Sequence, residues 1–291
     1  MKTNQFHIDF KLNGKSFSSI DELISYSAEL SKFTQRFFID WFSESEFIEL
    51  RTSGSTGKPK LIQLKKEFMI NSALATQTFF DLPEKTTALL CMSTEYIAGK
   101  MMLIRAIILG WHIDIVEPNS YPLKNIDKQY DFSAMVPLQL QNSLRDLSKI
   151  KKLIVGGGIV SRELESKILN VSTMVFATFG MTETITHIAV KKLNHLSSRE
   201  QSIGCSYYQI LPNVSISIDS RNCLVINAPK VSEKTLVTND VVDLISEREF
   251  KWLGRYDNII NSGGIKLNPE EIEEKLAHFI SKRFFVAGTP D

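Results

Sequence analysis

The sequence predicts an α/β fold built on a largely parallel sheet, followed by a β-rich part. Between residues 46 and 177, short apolar stretches alternate with segments whose apolar residues recur at helical spacing. This alternation is typical of parallel sheets, because a parallel strand can join its neighbour only through a long crossover, usually a helix. After Gln201 the stretches become short, rich in β-branched residues and separated by turn residues, which indicates an antiparallel sheet or a small barrel.

The elements of the first part follow in chain order. Residues 18–42 have apolar positions at helical spacing and predict one or two amphipathic helices. Ser161 is expected to cap a later helix, because its hydroxyl can accept a hydrogen bond from an N–H of the first turn. The predicted strands are 46–51, 61–64, 88–92, 112–116, 132–136, 152–155 and 174–177, and the further helices are 66–80, 99–109 and 161–169.

The second part is predicted to contain mainly strands and one helix. Pro269 in a first turn, followed by Glu270 and Glu271, is typical of a helix N-terminus, because the helix dipole favours negative charge there. We place a domain boundary near 254–257, which gives one domain at 1–253 and a second at 254–291. The predicted strands are 208–218, 223–227, 236–238, 241–245 and 283–287, and the predicted helix is 269–279.

Composition excludes several function classes. The 291 residues include 34 Lys and Arg against 33 Asp and Glu, and a formal charge of +1 gives no case for nucleic acid or a membrane surface as the main partner. Three cysteines without a CxxC pair argue against a disulfide framework and a zinc site, and the five histidines lack metal-ligand spacing. The longest apolar run, 101–111, is too short to span a bilayer, so we expect a cytoplasmic protein.

One loop between two predicted strands has the chemistry of a phosphate site. Residues 52–60, TSGSTGKPK, contain four hydroxyls, two glycines and two lysines. Glycines let the backbone approach a ligand, and successive N–H groups in such turns bind anions. A flexible surface loop is the alternative, since Ser, Gly and Lys are common there. The spacing excludes a Walker A loop, because Lys58 follows Gly54 by four residues rather than by six.

This loop resembles the phosphate-binding signature of the acyl-adenylate-forming superfamily, which includes acyl-CoA synthetases, luciferases and peptide-synthetase adenylation domains. Three later segments resemble further motifs of that superfamily in the expected order: TFGMTE at 178–183, LVTND at 236–240 and WLGRYDNIINSGGIKLNPEEIE at 252–273. In the second of these, Asn239 replaces the glycine of the T-G-D motif. The glycines at 156–158 resemble the superfamily's turn beside the acyl and nucleotide pockets, although a structural turn explains them equally well.

The resemblance implies both a fold and a reaction. The fold is the adenylate-forming enzyme fold, with a large N-terminal domain of mainly parallel α/β sheets, a small β-rich subdomain and a truncated small C-terminal α+β domain. The reaction is the activation of a carboxylic acid by ATP through an acyl-adenylate, followed by thioester formation with coenzyme A. Magnesium and ATP are the implied cofactors, and coenzyme A is the co-substrate.

The same resemblance implies roles for individual residues. Thr56, Lys60 and Glu183 would be catalytic, with Glu183 and Thr56 holding magnesium. Asp257 would be a hinge, and Gly263, Gly264 and Lys266 would border the path of coenzyme A. The implied ATP-binding residues are Thr52, Ser53, Gly54, Ser55, Thr56, Gly57, Lys60, Gly157, Phe179, Gly180, Met181, Thr182, Asp240 and Arg255.

The acid is expected to bind between 91–102 and 181–189, because these segments look most like those of compact o-succinylbenzoate–CoA ligases of menaquinone biosynthesis. An aromatic dicarboxylate needs apolar walls and a cationic or hydroxyl anchor. The candidates for the acid pocket are Tyr96, Lys100, Thr186 and His187, with Thr94 and Arg105 as further anchors. Ordinary packing is the alternative for each of them.

Other interpretations stay open. Another acyl- or aryl-CoA ligase, an adenylation domain, a catalytically impaired nucleotide-binding module and a structural protein without a nucleotide are the rivals. The chain stops short of the superfamily's usual length and lacks its late catalytic lysine. We therefore expect a truncated chain that binds ATP but adenylates poorly.

Overall fold

A sheet of twelve strands runs through the part of the molecule that the structure describes. The computed structural model describes residues 5–52, 60–198, 200, 207–262, 265–277, 279–280 and 284–288. The order of the strands across the sheet is β1-β5-β4-β6-β7-β8-β9-β10-β14-β13-β12-β11. Within these described ranges the strands are β1 Lys11–Leu12, β2 Phe47–Thr52, β3 Lys60–Lys65, β4 Thr87–Leu90, β5 His112–Ile115, β6 Tyr130–Met135, β7 Ile150–Val155, β8 Met174–Gly180, β9 His187–Lys192, β10 Tyr208–Ile210, β11 Ser215–Ile218, β12 Cys223–Asn227, β13 Leu236–Ser246, β14 Glu249–Arg255, β15 Ile260–Ser262 and β16 Ile265–Leu267.

Helices connect the parallel strands and cover the sheet. Short 3-10 turns at Leu144–Lys149, Thr182–Thr184 and Tyr256–Asn258 complete the connections. The α-helices are α1 Ile20–Ala28, α2 Lys32–Phe42, α3 Lys66–Phe80, α4 Ile97–Leu109, α5 Pro137–Asn142, α6 Arg162–Ile168 and α7 Pro269–Leu276.

The first six strands across the sheet, β1 to β8 in the order given, are all parallel to their neighbours. Their residues are apolar along most of their length because helices cover the sheet. α4 is the clearest case, since every residue from Met101 to Leu109 is buried. The strand order reverses next to β4, because β5 lies on one side of it and β6 on the other. Ligands of open α/β sheets bind at the carboxyl ends of strands beside such a reversal.

The same sheet continues as an antiparallel part from β8 onward. β8 pairs antiparallel with β9, and every later neighbour in the sheet is antiparallel as well. Three rings hold this junction together. Phe250 on β14 is fully buried, stacks on Tyr208 with centroids 5.3 Å apart, and meets Phe179 of β8 edge to face at 5.2 Å. The expected β-rich part is therefore an extension of the parallel sheet and not a separate barrel.

Two hairpins stand outside the large sheet. β2 and β3 form an antiparallel pair whose register runs from Phe47↔Lys65 to Thr52↔Lys60. The base of this hairpin is tied to Glu233 through Lys65. The helix that follows, α3, is tied to the same segment, because the Asn71 amide donates to the Lys230 carbonyl at 2.9 Å. β15 and β16 form the second hairpin, just before α7.

The structure confirms most predicted elements of the first part and corrects several others. α1 and α2 are two helices, and α3 has the predicted bounds of 66–80. The elements β1, α5, β9, β14, β15 and β16 are present without having been predicted. The predicted strands 236–238 and 241–245 are one strand, β13, because Asp240 pairs with Arg255 across the ladder and the chain does not turn at Asn239. The predicted strand 208–218 is two strands separated by a turn at Asn213, which has a positive φ of 62°.

The predicted strand at 283–287 is wrong for its described part. Residues 284–288 have no regular secondary structure. A strand needs a neighbour for its N–H and C=O groups, and here the Val286 N–H donates instead to the Glu273 carboxylate on α7 at 2.7 Å. The boundary expected near 254–257 stays a prediction; β14 pairs with β13 as far as Arg255.

Candidate functional site

The glycines after β7 lie at the carboxyl edge of the parallel strands. Thr178 on β8 donates its hydroxyl to the Val155 carbonyl at 3.1 Å, which brings β8 close to the turn. A Cβ added at Gly156 would lie 2.6 Å from the Thr178 hydroxyl oxygen, so a larger residue here would force the Thr178 side chain to move. Gly157 has a φ of +75°, which a side chain rarely adopts. The turn therefore presents bare backbone at the edge where ligands of such sheets bind.

The loop after β8 has Gly180 at its start and Glu183 at its tip. A Cβ at Gly180 would lie 2.3 Å from the Thr186 carbonyl oxygen, so the chain folds back tightly on itself. Glu183 lies in the 3-10 turn Thr182–Thr184 and is exposed. Among the described residues it has no ion-pair partner. A carboxylate of this kind is available to a hard divalent cation such as magnesium.

Thr184 and Ile185 fix the shape of this loop. The buried Thr184 hydroxyl accepts from the Met181 N–H at 3.1 Å and lies 2.9 Å and 2.8 Å from the Met181 and Thr186 carbonyl oxygens. Ile185 has φ 67° and ψ −57°, and the Thr186 N–H donates to the Thr184 carbonyl at 2.7 Å. This is a γ-turn with a β-branched residue at positive φ, a strained conformation that is concentrated at functional sites. No local pattern in the sequence predicted this turn.

The predicted phosphate loop is closed at its base by the β2–β3 hairpin. Thr52 and Lys60 are paired across that hairpin. The side chains of both, and residues 53–59 between them, lie outside the described residues. The roles expected for Ser53, Gly54, Ser55, Thr56, Gly57 and Lys60 therefore stay predictions.

The structure brings three of the predicted residues into one charged cluster. Asp240 and Arg255 face each other across β13 and β14, and Arg255 Nη1 lies 3.6 Å from Asp240 Oδ2. Arg255 Nη2 also lies 3.3 Å from Asp257 Oδ2. The second oxygen of Asp240 accepts from the indole N–H of Trp252 at 3.0 Å. This cluster is linked to β8 through β14, because Phe250 of the same strand contacts Phe179.

Phe179 is half-buried and lies in the aromatic group already described. Its ring meets Tyr208 at 5.7 Å in addition to Phe250. Gly180, Met181 and Thr182 follow it at the end of β8 and in the start of the 3-10 turn. The predicted nucleotide residues therefore fall into two groups, one at the edge of β7 and β8 and one on β13 and β14. Among the described residues, no hydrogen bond or ion pair joins Glu183 to Asp240 or Arg255.

A buried arginine dominates the region predicted for the acid. Arg105 on α4 is 2 % exposed, and its Nε donates to the Thr76 hydroxyl of α3 at 3.3 Å. Its Nη2 has no hydrogen-bond partner within the described part of the chain. Burial lowers the pKa of the guanidinium to about 10, so it stays charged at neutral pH. No carboxylate of the described residues is within ion-pair distance of it.

His187 lies beside this arginine at the start of β9. It is 5 % exposed, and its Nδ1 is 3.3 Å from the Thr186 hydroxyl. Burial, and then the positive charge of Arg105, lower the pKa of His187 to about 3, so the imidazole is neutral at neutral pH. Its Nε2 has no partner among the described residues. The predicted residues Thr186 and His187 are thus brought together with the further candidate Arg105.

The other two predicted acid-pocket residues lie at the beginning of α4. Tyr96 precedes the helix and is 62 % exposed. Lys100 donates to the Thr94 carbonyl at 2.8 Å and lies 5.8 Å from the ring centroid of Phe37 on α2. Burial lowers the pKa of Lys100. In the described part of the chain, neither residue has a hydrogen bond or an ion pair with Thr186 or His187.

The remaining predicted residues lie near the second hairpin. Lys266 is on β16, and its amine lies 5.7 Å from the ring centroid of Tyr256. Gly263 and Gly264 fall outside the described residues. In the part of the chain that the structure describes, no helix is long and apolar enough to cross a bilayer.

One group of side chains has metal-ligand character that the spacing of the histidines did not indicate. Ligand atoms of His7, Asp9 and Glu84 lie within 4.8 Å of one another. Hydrogen bonds already account for the imidazole, because Nδ1 accepts from the Asp9 N–H at 3.2 Å and Nε2 lies 3.2 Å from the Glu84 carboxylate. Lys85 also pairs with Asp9 at 3.3 Å. The group is therefore explained without an ion.

Known proteins resemble this chain in sequence and in fold. Residues 50–226 match the model of a family described as AMP-binding enzyme. A 2-succinylbenzoate–CoA ligase of Staphylococcus aureus (strain MSSA476) is 23 % identical over 256 residues, which are 78 % of this chain and 51 % of that protein. The chain thus spans about half the length of the curated relatives it matches.

Two solved structures have the same fold. The first is an acyl-CoA synthetase (AMP-forming)/AMP-acid ligase II-like protein from Dyadobacter fermentans, 35 % identical, with a TM-score of 0.71 over 85 % of this chain and 72 % of that one. The second is an o-succinylbenzoate coenzyme A synthetase from Bacillus subtilis in complex with ATP and magnesium ion. It is 20 % identical, with a TM-score of 0.71 over 96 % of this chain and 71 % of that one. At that identity the second likeness shows the fold alone.

Proposed function

The chain belongs to the AMP-binding enzyme family, and on that premise we propose that it activates a carboxylic acid with ATP and passes the acyl group to coenzyme A. In the first step a carboxylate oxygen attacks the α-phosphorus of ATP, and pyrophosphate leaves. In the second step the thiol of coenzyme A attacks the acyl carbon, loses its proton, and AMP leaves. The protein's part in both steps is to position the reactants and stabilise charge.

Four groups of residues have roles in this proposal. The backbone of 53–57 and Lys60 would bind the triphosphate. Magnesium, when bound, would neutralise phosphate charge, and the exposed Glu183 carboxylate and Thr56 would hold it. Asp240 and Arg255 would bind the ribose, and Phe179 would lie against the adenine. Asp257 would be the hinge of the small domain, and Lys266 with Gly263 and Gly264 would border the path of coenzyme A.

The single observation that supports an acid with two carboxylates is the isolation of Arg105. A buried guanidinium normally pairs with a carboxylate, because an unpaired buried charge is costly. Among the described residues, the polar neighbours of Arg105 are the Thr76 hydroxyl, the Met102 sulfur at 3.7 Å and the neutral His187. A second carboxylate of the substrate, one that does not react, would complete this environment. With the relative named a 2-succinylbenzoate–CoA ligase, this favours o-succinylbenzoate as the acid.

The test compares two non-hydrolysable acyl-sulfamate analogues of the adenylate. One carries o-succinylbenzoate and the other carries the same acid without its second carboxylate. We expect the first to bind the wild-type chain about 10- to 100-fold more tightly, because a hydrogen bond to a charged group contributes about 1.5–3 kcal/mol. In Arg105→Met this preference should disappear. Arg36→Met, which removes an exposed arginine of α2, is the matched control and should keep the preference.

Each outcome of this test decides something. If neither analogue binds while the wild-type chain is folded, the proposed adenylate site is wrong. If both bind wild type equally well, the reading of Arg105 as an anchor is wrong and the acid has one carboxylate. Calorimetry measures both affinities, and pyrophosphate exchange with a panel of acids would then identify the substrate.

A further inference from the structure

Asn239 occupies a strand position from which its side chain holds the turn after β14. Its Nδ2 lies 3.1 Å from each carboxylate oxygen of Asp257. Its Oδ1 accepts from Arg221 Nη1 at 3.0 Å. Both ends of the amide are engaged, so its orientation is fixed. Since a glycine has no such atoms, these contacts depend on asparagine at this position.

Arg221 is itself held rigidly. Its Nε donates to the Asp219 carboxylate at 2.8 Å, and its Nη2 donates to the Thr238 carbonyl at 3.2 Å. The guanidinium also lies 5.0 Å from the ring centroid of Tyr256, within the range of a cation–π contact. Asp219 is fixed in turn, because it accepts the N–H groups of Arg221 and Cys223 at 2.8 Å and 2.9 Å. Arg221 therefore braces Asn239 from the β11–β12 turn.

The contacts of Asn239 and Arg221 determine how the Arg255 guanidinium is shared between two carboxylates. Arg255 lies between two carboxylates, Asp240 at 3.6 Å and Asp257 at 3.3 Å. The Asp240 side chain is 10 % exposed, whereas that of Asp257 is 56 % exposed. An exposed carboxylate keeps one geometry only if something holds it. Without Asn239, Asp257 is free to turn into water, and Arg255 can close onto the buried Asp240.

We propose that Asn239, braced by Arg221, is a positioning residue for nucleotide binding. It holds Asp257 so that Arg255 is shared between Asp257 and Asp240, and this leaves the Asp240 carboxylate open to the two hydroxyls of a ribose. The inference rests on the proposed function, because it requires a nucleotide at Asp240. Asn239 itself does not touch that nucleotide.

The test measures the preference for a ribose diol. AMP and 2′,3′-dideoxy-AMP are titrated against the wild-type chain, Asn239→Gly and Asn239→Asp, with heat release and Trp252 emission as readouts. Wild type should prefer AMP, and this preference should fall by about fivefold in Asn239→Gly, the change that a lost hydrogen bond of about 1 kcal/mol produces. Asn239→Asp should lower it at least as much, because it places two carboxylates together. Dideoxy-AMP affinity should change little in either variant.

A matched control is Asn227→Asp, which changes an exposed asparagine on the neighbouring strand β12, where its amide lies 3.4 Å from the Ser215 hydroxyl. It should keep the wild-type preference. A folded Asn239→Gly protein that still prefers AMP to the wild-type extent overturns the inference and leaves the proposed function intact. Arg221→Gln gives the same decision if Asn239→Gly does not fold. If wild type binds neither nucleotide, both the inference and the proposed function fail.

Discussion

At the scale of single residues, burial decides what His187 and Arg105 can do. Both side chains are ionisable and buried, and no carboxylate of the described residues forms an ion pair with either of them. The arginine stays charged because its ordinary pKa is so high, whereas the histidine gives up its proton. The two side chains therefore offer one fixed positive charge and one neutral ring, a pairing suited to an anion.

The depressed pKa of His187 predicts a stability that depends on pH. The unfolded chain takes up a proton at this residue below about pH 6.5, and the folded chain does so only near pH 3. Neutral His187 therefore makes its full contribution to the free energy of unfolding above pH 6.5, and this contribution is lost as the pH falls toward 3. In His187→Gln the free energy of unfolding between pH 6 and pH 4 should fall less steeply than in wild type, by about 1.4 kcal/mol per pH unit. Urea titrations at several pH values measure this, and parallel slopes would contradict it.

At this scale the sequence names candidate residues but does not show the surroundings of their side chains. Thr186 and His187 could be named because they follow a recognisable motif. Arg105 was visible only as a charge that interrupts an apolar run, and nothing local showed that α3 would supply a hydroxyl and no carboxylate. The strain at Ile185 had no signal at all, since an isoleucine at positive φ contradicts local preference and is imposed by the fold. Asn239 was noticed as a departure from a glycine, but its partners Arg221 and Asp257 are distant in sequence.

At the scale of elements, local signals predicted most of the helices, although α5 was missed. α3 has the predicted bounds, and Ser161 accepts from the Leu164 N–H at 3.2 Å as the cap of α6. Strands were less predictable, because pairing across the sheet overrides turn preferences. The Asn239–Asp240 pair reads as a turn in the sequence but is extended in β13, where Asp240 faces Arg255.

The cap of α6 provides a prediction for one element. Ser161→Ala should lower the free energy of unfolding by about 1 kcal/mol, because the Leu164 N–H loses its acceptor. Ser166→Ala is the control in the same helix. Ser166 is exposed and its hydroxyl only returns to the Glu163 carbonyl, so the change should have no cost, since alanine is the better helix former. Chemical denaturation compares the two, and equal effects would argue against the cap.

At the scale of the whole molecule, one continuous sheet contains a parallel half and an antiparallel half. The parallel half offers its carboxyl edge with the turns at 156–158 and 180–187, and the antiparallel half supplies the charged cluster around Arg255. The contact of Phe179 with Phe250 crosses between these halves. Whatever weakens this contact should therefore disturb both groups of predicted nucleotide residues together.

The substitution Phe250→Ala tests the contact between Phe179 and Phe250. The side chain is fully buried, and its loss should cost about 3–5 kcal/mol of unfolding free energy and weaken AMP binding. Phe285→Ala is the control of the same residue type, because Phe285 is exposed, and it should change the free energy by about 0.5 kcal/mol or less. Denaturation and calorimetry measure the two effects. A stable Phe250→Ala protein with unchanged AMP affinity would show that the aromatic contact does not couple the halves.

The outer borders of this long ladder have a consequence for behaviour in concentrated solution. β1 has only two residues and β11 only four. The unpaired N–H and C=O groups of an edge strand can pair with a strand of a neighbouring molecule, and a longer edge strand offers more such groups. Because the widest sheet of this molecule ends in such short rows on both sides, it offers little template for chain-to-chain stacking into fibrils.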